Sequence, residues 1–173
     1  MKTPLALLAL FLCACGVALA DTPLPPPARK TICSPNGKFC AVADPAQNIT
    51  LLSQSHSNKI LWSIPGWHRW LFVSDDGESF VIGYSGMNLV PVDVTLSEPV
   101  LFFYNRGKLV RTVKLGELYG DKSQLRRTMS HYAWADIQGF NEANQLVVEL
   151  VNGKRIAFSA KTGQVQLAAP DGT

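Results

Sequence analysis

Three polar residues in the last third of the chain are of the types that nucleophilic catalysis uses. Ser130, His131 and Asp136 could act as the nucleophile, the general base and the orienting carboxylate of a serine hydrolase. Such a site requires the three side chains to converge in one pocket, within hydrogen-bond reach. Ser130 and His131 are adjacent, and adjacent residues of a strand point to opposite faces. The pattern therefore assigns no catalytic residue, and a secreted hydrolase around these residues is kept as the alternative function.

A short aromatic and basic run is the strongest candidate for binding. Trp67, His68 and Arg69 follow the strand-breaking pair Pro65-Gly66, which places them in a loop. An aromatic ring beside hydrogen-bond donors can serve as a platform for a sugar or as a hot spot for a peptide. We therefore predict a binding surface at Trp67, His68 and Arg69, with an envelope protein or a polysaccharide as the expected partner. The other tryptophans are expected in the core: Trp62, Trp70 and Trp134.

The sequence predicts neither a metal nor a cofactor. The three histidines are His56, His68 and His131, which are far apart, and none has a ligand-type partner two or four residues away. No phosphate-binding glycine loop and no nucleotide-binding fingerprint is present. The function is consequently expected not to depend on a bound ion or organic cofactor.

Length and charge exclude several classes of protein. The chain has 173 residues, with 16 basic and 13 acidic side chains and a formal net charge of +3. The basic residues are scattered and not clustered, so nucleic acid is not an expected partner. The length suits one domain with a sizeable core.

The N-terminus has the features of an export signal. Lys2 provides a short positive region, residues 5–12 are apolar but too short to span a bilayer, and residues 18–20 read Ala-Leu-Ala. We expect a signal peptide over 1–20 and a mature chain that begins at Asp21, in the periplasm or secreted. The alternative is a lipobox-like reading of residues 12–15, in which Cys15 is lipidated and anchors the protein. No later stretch is apolar and long enough for a transmembrane segment.

Two cysteines remain after the signal. Cys33 and Cys40 flank a turn at Asn36-Gly37, and an even cysteine count in an exported protein favours a disulfide. A loop of two or four residues would place the two cysteines opposite each other, whereas a loop of three would place them on different faces. The export signal favours the disulfide.

The remaining sequence has the alternation and turn signals of an all-β protein. A proline-rich leader over 21–30 precedes a single β domain over 31–173. Antiparallel meanders make up about three units. A short helical insert is expected near 115–127, where apolar residues have helical spacing on either side of Gly120.

The hairpin between Trp70 and Tyr84 is the clearest of these elements. Two apolar runs flank Asp75-Asp76-Gly77, which predicts a three-residue turn with Gly77 at a positive φ. That register pairs Phe72 with Phe80 and Trp70 with Ile82, and Leu71 with Val81 on the other face. Both faces are then apolar, and the hairpin needs cover on both sides.

The hairpin turns carry a family resemblance. Residues 34–39, Ser-Pro-Asn-Gly-Lys-Phe, and residues 74–80, Ser-Asp-Asp-Gly-Glu-Ser-Phe, resemble the serine-x-acid-glycine hairpins of β-propeller blades in TolB-like and WD-repeat proteins. The two serines are 40 residues apart, which is a blade-like period. The resemblance implies blade-like repeats. It implies no site residues, because these turns are structural in that family.

These observations favour an exported protein that is not an enzyme. The expected function is that of a binding or accessory protein of the bacterial envelope that recognises its partner through the loop at Trp67. Two alternatives remain: the hydrolase at Ser130, His131 and Asp136, and a structural subunit that completes its sheets by oligomerising.

Overall fold

The computed structural model describes residues 23–57 and 59–167. The predicted signal peptide, the cleavage site before Asp21 and the alternative lipidation site at Cys15 lie outside the described residues. The helical insert consists of α1 (Leu115–Leu118) and a 3-10 turn (Lys122–Gln124). The strands are β1 (Lys30–Cys33), β2 (Phe39–Asp44), β3 (Ile49–Gln54), β4 (Ile60–Pro65), β5 (Leu71–Val73), β6 (Ser79–Gly83), β7 (Leu89–Pro91), β8 (Pro99–Asn105), β9 (Lys108–Lys114), β10 (Arg126–Arg127), β11 (His131–Ala133), β12 (Ala135–Phe140), β13 (Gln145–Leu150), β14 (Arg155–Ser159) and β15 (Val165–Gln166).

Twelve of these strands form three four-stranded antiparallel sheets. The first sheet has the order β1-β2-β3-β4, the middle sheet β5-β6-β8-β9 and the third sheet β12-β13-β14-β15. This confirms the predicted all-β fold of about three meanders. A small sheet of order β10-β11-β7 was not predicted, because strands of two or three residues carry no detectable alternation.

The middle sheet is buried on both faces. Every residue of β6 is buried. Toward the first sheet, Phe80 and Ile82 pack in a cluster with Leu52, which we call the first core. Toward the third sheet, Val81 and Phe103 belong to a larger cluster, the second core. The prediction that this hairpin needs cover on both faces is confirmed, and one sheet serves as the wall between two cores.

The predicted register of the middle hairpin is wrong by one residue. Leu71 pairs with Ile82 and Val73 pairs with Phe80, so the loop has four residues and not three. The side chain of Asp76 accepts hydrogen bonds from the backbone N–H groups of Glu78 and Ser79, which holds the wider loop closed. Gly77 keeps the expected positive φ of 65°.

The first hairpin has the same kind of turn. Cys33 lies opposite Cys40 on β1 and β2, and the predicted disulfide joins them. The backbone N–H of Ser34 donates to the Phe39 carbonyl over 2.8 Å, which again leaves a four-residue loop. The sequence left loops of two, three and four residues open, and the observed four-residue loop is one of the two that place the cysteines opposite each other.

A third turn links to the first two. The Asn141 side chain accepts a hydrogen bond from the backbone N–H of Gln145, just as the Ser34 and Ser74 hydroxyls accept from backbone N–H groups in their own turns. Asn144 has the left-handed conformation that glycine has in the other two turns. The Asn144 amide donates to the Asp76 carboxylate over 3.2 Å. Equivalent turns of the three sheets thus lie side by side.

The helical insert connects the small sheet to the second core. Leu115, Tyr119 and Leu125 are buried in that core. The Tyr119 hydroxyl donates to the Trp134 carbonyl and accepts the backbone N–H of Val151 over 3.2 Å. The predicted helical turns on either side of Gly120 are confirmed. Within residues 23–57 and 59–167, no helix has the length and apolar character needed to cross a bilayer.

Candidate binding cleft

A cleft of about 680 Å³ opens where the first sheet leaves part of the middle sheet uncovered. Ile82, Phe102 and Tyr104 point from the middle sheet toward the first core and also line the cleft. The floor of the cleft is apolar. The complete lining is Leu24, Trp67, His68, Arg69, Ile82, Gly83, Tyr84, Ser85, Gly86, Leu89, Pro91, Glu98, Pro99, Phe102, Tyr104 and His131.

All three predicted binding residues line this cleft. Trp67, His68 and Arg69 form the loop between β4 and β5 and are half-buried. Gly66 has a φ of 96°, which lets the chain turn sharply out of β4 at this point. The structure thus places these residues beside an apolar floor, which is an arrangement that ligand sites commonly have.

Trp67 is held by cations and by the leader. The ammonium of Lys30 lies 5.8 Å from the ring centroid of Trp67, and the guanidinium of Arg69 lies 5.0 Å from it. The Lys30 ammonium also donates to the Arg69 carbonyl. Burial, and then repulsion by Arg69, lower the pKa of Lys30. The indole N–H of Trp67 donates to the Ala28 carbonyl over 2.8 Å.

The leader crosses the Trp67 end of the cleft. Residues 23–29 form no helix or strand and are exposed, and Leu24 lines the cleft. Pro25, Pro26 and Pro27 each have a fixed φ and hold the residue before them extended. Residues 23–29 therefore lie outside the strands, and they are docked against the domain at Trp67.

His68 is neutral in this environment. Its Nε2 atom lies 3.2 Å from the Pro65 carbonyl oxygen, which requires the proton to be on Nε2. Burial lowers the pKa of His68, the charge of Lys30 lowers it further, and the bond to Pro65 opposes both. The ring therefore presents an uncharged edge to the cleft near neutral pH.

The lining of the cleft also includes a carboxylate. Glu98 lines the cleft, and its charge acts on Tyr84. Burial raises the pKa of the Tyr84 hydroxyl, and the charges of Glu98 and Asp93 raise it further. Tyr84 therefore remains a protonated hydrogen-bond donor. The lining of the cleft thus combines the cation of Arg69, the carboxylate of Glu98 and several aromatic rings.

The hydrolase candidates are only partly brought together. The Ser130 hydroxyl lies 2.8 Å from Nδ1 of His131, which also lines the cleft. The expectation that these neighbours point apart was wrong, because Ser130 precedes β11 and does not belong to the strand. Asp136 is exposed on β12 opposite Glu149, and its carboxylate makes no hydrogen bond or ion pair with any residue of the described ranges. A serine–histidine pair is present without its predicted carboxylate.

No metal site is visible in the part of the chain that the structure describes. It contains no group of three histidine, cysteine, aspartate or glutamate side chains that could hold an ion. His68 and His131 both line the cleft, whereas His56 lies in the exposed turn after β3.

Several cleft residues were not found from the sequence. Leu24, Tyr84, Phe102 and Tyr104 come together only through packing between distant segments. Their apolar or aromatic character in strands is equally typical of core positions. The sequence signal that pointed to a residue of the cleft was the loop position of Trp67 after a proline–glycine break.

Comparison with known proteins does not identify a family. No protein-family model and no curated protein matches the chain. Among solved structures, the chain is similar to one titled Kuenenia stuttgartiensis hydrazine synthase, at 12% identity and a TM-score of 0.30. The match covers 73% of this chain, which spans 40% of the other. A likeness at this TM-score carries no argument about fold or function.

Proposed function

We propose that the protein is an exported binding or accessory protein of the bacterial envelope and that its ligand occupies the cleft at Trp67. The observation that carries the proposal is the cleft itself, which has an apolar, aromatic floor and is lined also by polar groups and by the three predicted binding residues. A concave apolar site with a few placed polar groups is the usual form of a binding pocket.

Two features support export. The signal pattern over 1–20 predicts passage out of the cytoplasm. The Cys33–Cys40 disulfide fits an oxidising compartment, where such bonds persist. We place the protein in the periplasm or among secreted proteins, with the anchor at Cys15 as the alternative.

A relation to β-propeller blades belongs to the proposal as well. Three four-stranded meanders with equivalent first turns support it, and the described residues do not close a ring. We draw no site residue from the resemblance.

Ligand-induced shifts in two-dimensional NMR spectra would test the binding function. We expect members of a panel of oligosaccharides and short peptides to shift signals of Tyr84, Tyr104 and His131, and we expect Trp67→Ala to remove these shifts. Leu109→Ala, at an exposed position on β9, is the matched control and should leave them unchanged. Shifts that map away from the cleft, or that persist in Trp67→Ala, would contradict the proposal.

Hydrolysis is the second candidate, favoured by the 2.8 Å contact between Ser130 and His131. A fluorophosphonate probe distinguishes the two functions, because it labels a serine that a base has activated. Labelling of the native protein that Ser130→Ala abolishes would establish the enzyme. Equal labelling of both proteins, or labelling of neither, would exclude Ser130 as a nucleophile.

A further inference from the structure

We propose that the cleft recognises a proline-rich, extended segment of a partner protein, and that residues 24–28 of the chain itself hold the Trp67 end as a displaceable strap. The inference rests on the proposed binding function and adds the chemical class of the ligand. It is carried by the contact that the leader already makes.

The leader is bound in the way that a proline-rich ligand would be. The indole N–H of Trp67 donates to the Ala28 carbonyl over 2.8 Å, and Leu24 lines the cleft. Between these two contacts lie three consecutive prolines, Pro25, Pro26 and Pro27. The segment forms no strand, but it makes one hydrogen bond to Trp67 and one apolar contact, through Leu24, with the domain.

Prolines make such a segment a good ligand for physical reasons. Each ring fixes φ near −65°, and the residue before each proline is kept extended, so little conformational freedom is lost on binding. An extended chain of this kind makes no internal hydrogen bonds, and its carbonyl groups remain available as acceptors. A tryptophan N–H in an aromatic groove is a donor suited to such a carbonyl.

The rest of the cleft supplies the matching surface. Phe102, Tyr104 and Tyr84 are half-buried and line the same cleft as Leu24. Flat aromatic side chains of this kind receive proline rings in grooves that bind polyproline segments. Leu24 is one of sixteen lining residues, so most of the cleft surface comes from the domain and not from the leader.

The setting of Trp67 favours a peptide over a sugar. A saccharide platform uses an open aromatic face, but Lys30 and Arg69 place two cations over the Trp67 ring. What the ring offers to a ligand is its N–H edge. That edge is a donor for a backbone carbonyl, and the leader already uses it in this way.

The test uses a synthetic peptide, Leu-Pro-Pro-Pro-Ala-Arg, whose sequence is that of residues 24–29. It is titrated into the native protein and into a variant with a loosened leader, which carries Pro25→Gly, Pro26→Gly and Pro27→Gly. Glycines raise the entropy cost of docking the strap, so the free peptide should bind the variant about tenfold more tightly. The control peptide has glycines in place of the three prolines and should bind about tenfold more weakly than the proline peptide.

Two readouts locate the binding. The indole N–H signal of Trp67 should shift in the loosened variant and shift back when the proline peptide is added. Trp67→Phe, introduced into the loosened variant, keeps an aromatic ring but loses the donor, and it should weaken peptide binding by about tenfold. Binding that is equal for the two peptides, or unaffected by Trp67→Phe, would overturn the inference.

The two proposals fail in different ways. If cello- or chito-oligosaccharides shift the cleft signals of the loosened variant and the proline peptide does not, the peptide inference is wrong and the binding function stands. If neither the peptide nor the oligosaccharides shift those signals at millimolar concentration, both are wrong.

Discussion

The backbone N–H of Asn36 donates to the carboxylate of Asp75 over 2.8 Å, although the two residues are 39 positions apart. They lie in the first turns of neighbouring sheets, where Asn36 corresponds to Asp76 and Asp75 to Pro35. The Asn36 amide also donates to the Asp75 carbonyl over 3.3 Å. Asp75 in turn donates its backbone N–H to the side chain of Asn144 over 3.1 Å. Bonds between turns therefore align the three sheets independently of the cores.

Removing the carboxylate of Asp75 tests this alignment. We expect Asp75→Ala to lower the free energy of unfolding by about 0.5–1.5 kcal/mol, the usual contribution of one hydrogen bond, at the low end because water reaches the turn. Asp75→Asn keeps an acceptor oxygen and should lose less. Urea unfolding measures both. Asp93→Ala, at an exposed carboxylate, is the control, and an equal effect of Asp93→Ala and Asp75→Ala would argue against a role in alignment.

The glycines of the two equivalent turns should respond differently to alanine. Gly37 and Gly77 have similar positive φ values of 70° and 65°, so each Gly→Ala substitution costs about 1–2 kcal/mol of backbone strain. A Cβ on Gly77 would lie 2.4 Å from the ring of Phe39, whereas one on Gly37 meets nothing within 4 Å. We expect Gly77→Ala to lose about 1–3 kcal/mol more than Gly37→Ala in urea unfolding. Equal losses would mean that Phe39 moves aside without cost.

The Tyr119 hydroxyl bridges two elements that meet at the second core. It donates to the Trp134 carbonyl and accepts from Val151. Tyr119→Phe would leave both backbone groups without this partner in a buried place, and we expect a loss of about 1–3 kcal/mol in the free energy of unfolding. Tyr132→Phe is the matched control, because that hydroxyl bonds no described residue. Thermal or urea unfolding that shows the same loss for both variants would contradict the bridge.

The disulfide closes a short loop across the first hairpin. Cys33 and Cys40 are 7 residues apart, and in the chain-entropy model a loop of this size stabilises by about 2–3 kcal/mol. Replacing both cysteines with serine should lower the free energy of unfolding by this amount. Reduction of the native protein should shift its urea midpoint to that of the variant. A midpoint that does not move on reduction would show that the bond is absent or without effect.

His68 should make stability fall in mild acid. Because burial lowers the pKa of folded His68 below its usual value of about 6.5, the unfolded chain binds the proton more readily. The stabilisation is present above the usual histidine pKa and is lost as the pH falls below it. His68→Gln keeps a donor for the Pro65 carbonyl without a titrating ring, so unfolding free energies measured between pH 7.5 and pH 5 should decline less steeply in the variant. An unchanged slope would show that His68 does not contribute.

The predictable part of this structure is the part that depends on local sequence. Alternation and turn residues located the strands, because side-chain period and glycine at positive φ are properties of short segments. The register of the middle hairpin was not predictable from alternation, since the bonds of Asp76 to the backbone decide between a three- and a four-residue loop. The third turn escaped notice because Asn144 takes the place of glycine.

The candidate site divides in the same way. Trp67, His68 and Arg69 could be proposed from a loop position beside a strand break. Phe102 and Tyr104 could not be proposed in this way. A strand residue that the first sheet covers and one that it leaves open have the same local sequence pattern. Ser130 and His131 were placed on opposite faces by a rule for strands, and the rule did not apply because the strand begins one residue later.

The first sheet and the cleft share one face of the middle sheet. Ile82, Phe102 and Tyr104 pack toward the first core and also form the floor of the cleft. Anything seated there would complete a cover that the first sheet provides only in part, and it would bind the folded arrangement in preference to an opened one. Occupancy and local opening are then reciprocal: a ligand should slow hydrogen exchange in β1 to β4, and any change that loosens the first sheet should weaken the ligand. Because part of the middle sheet is uncovered, the stability of the first sheet should depend on whether the cleft holds a ligand.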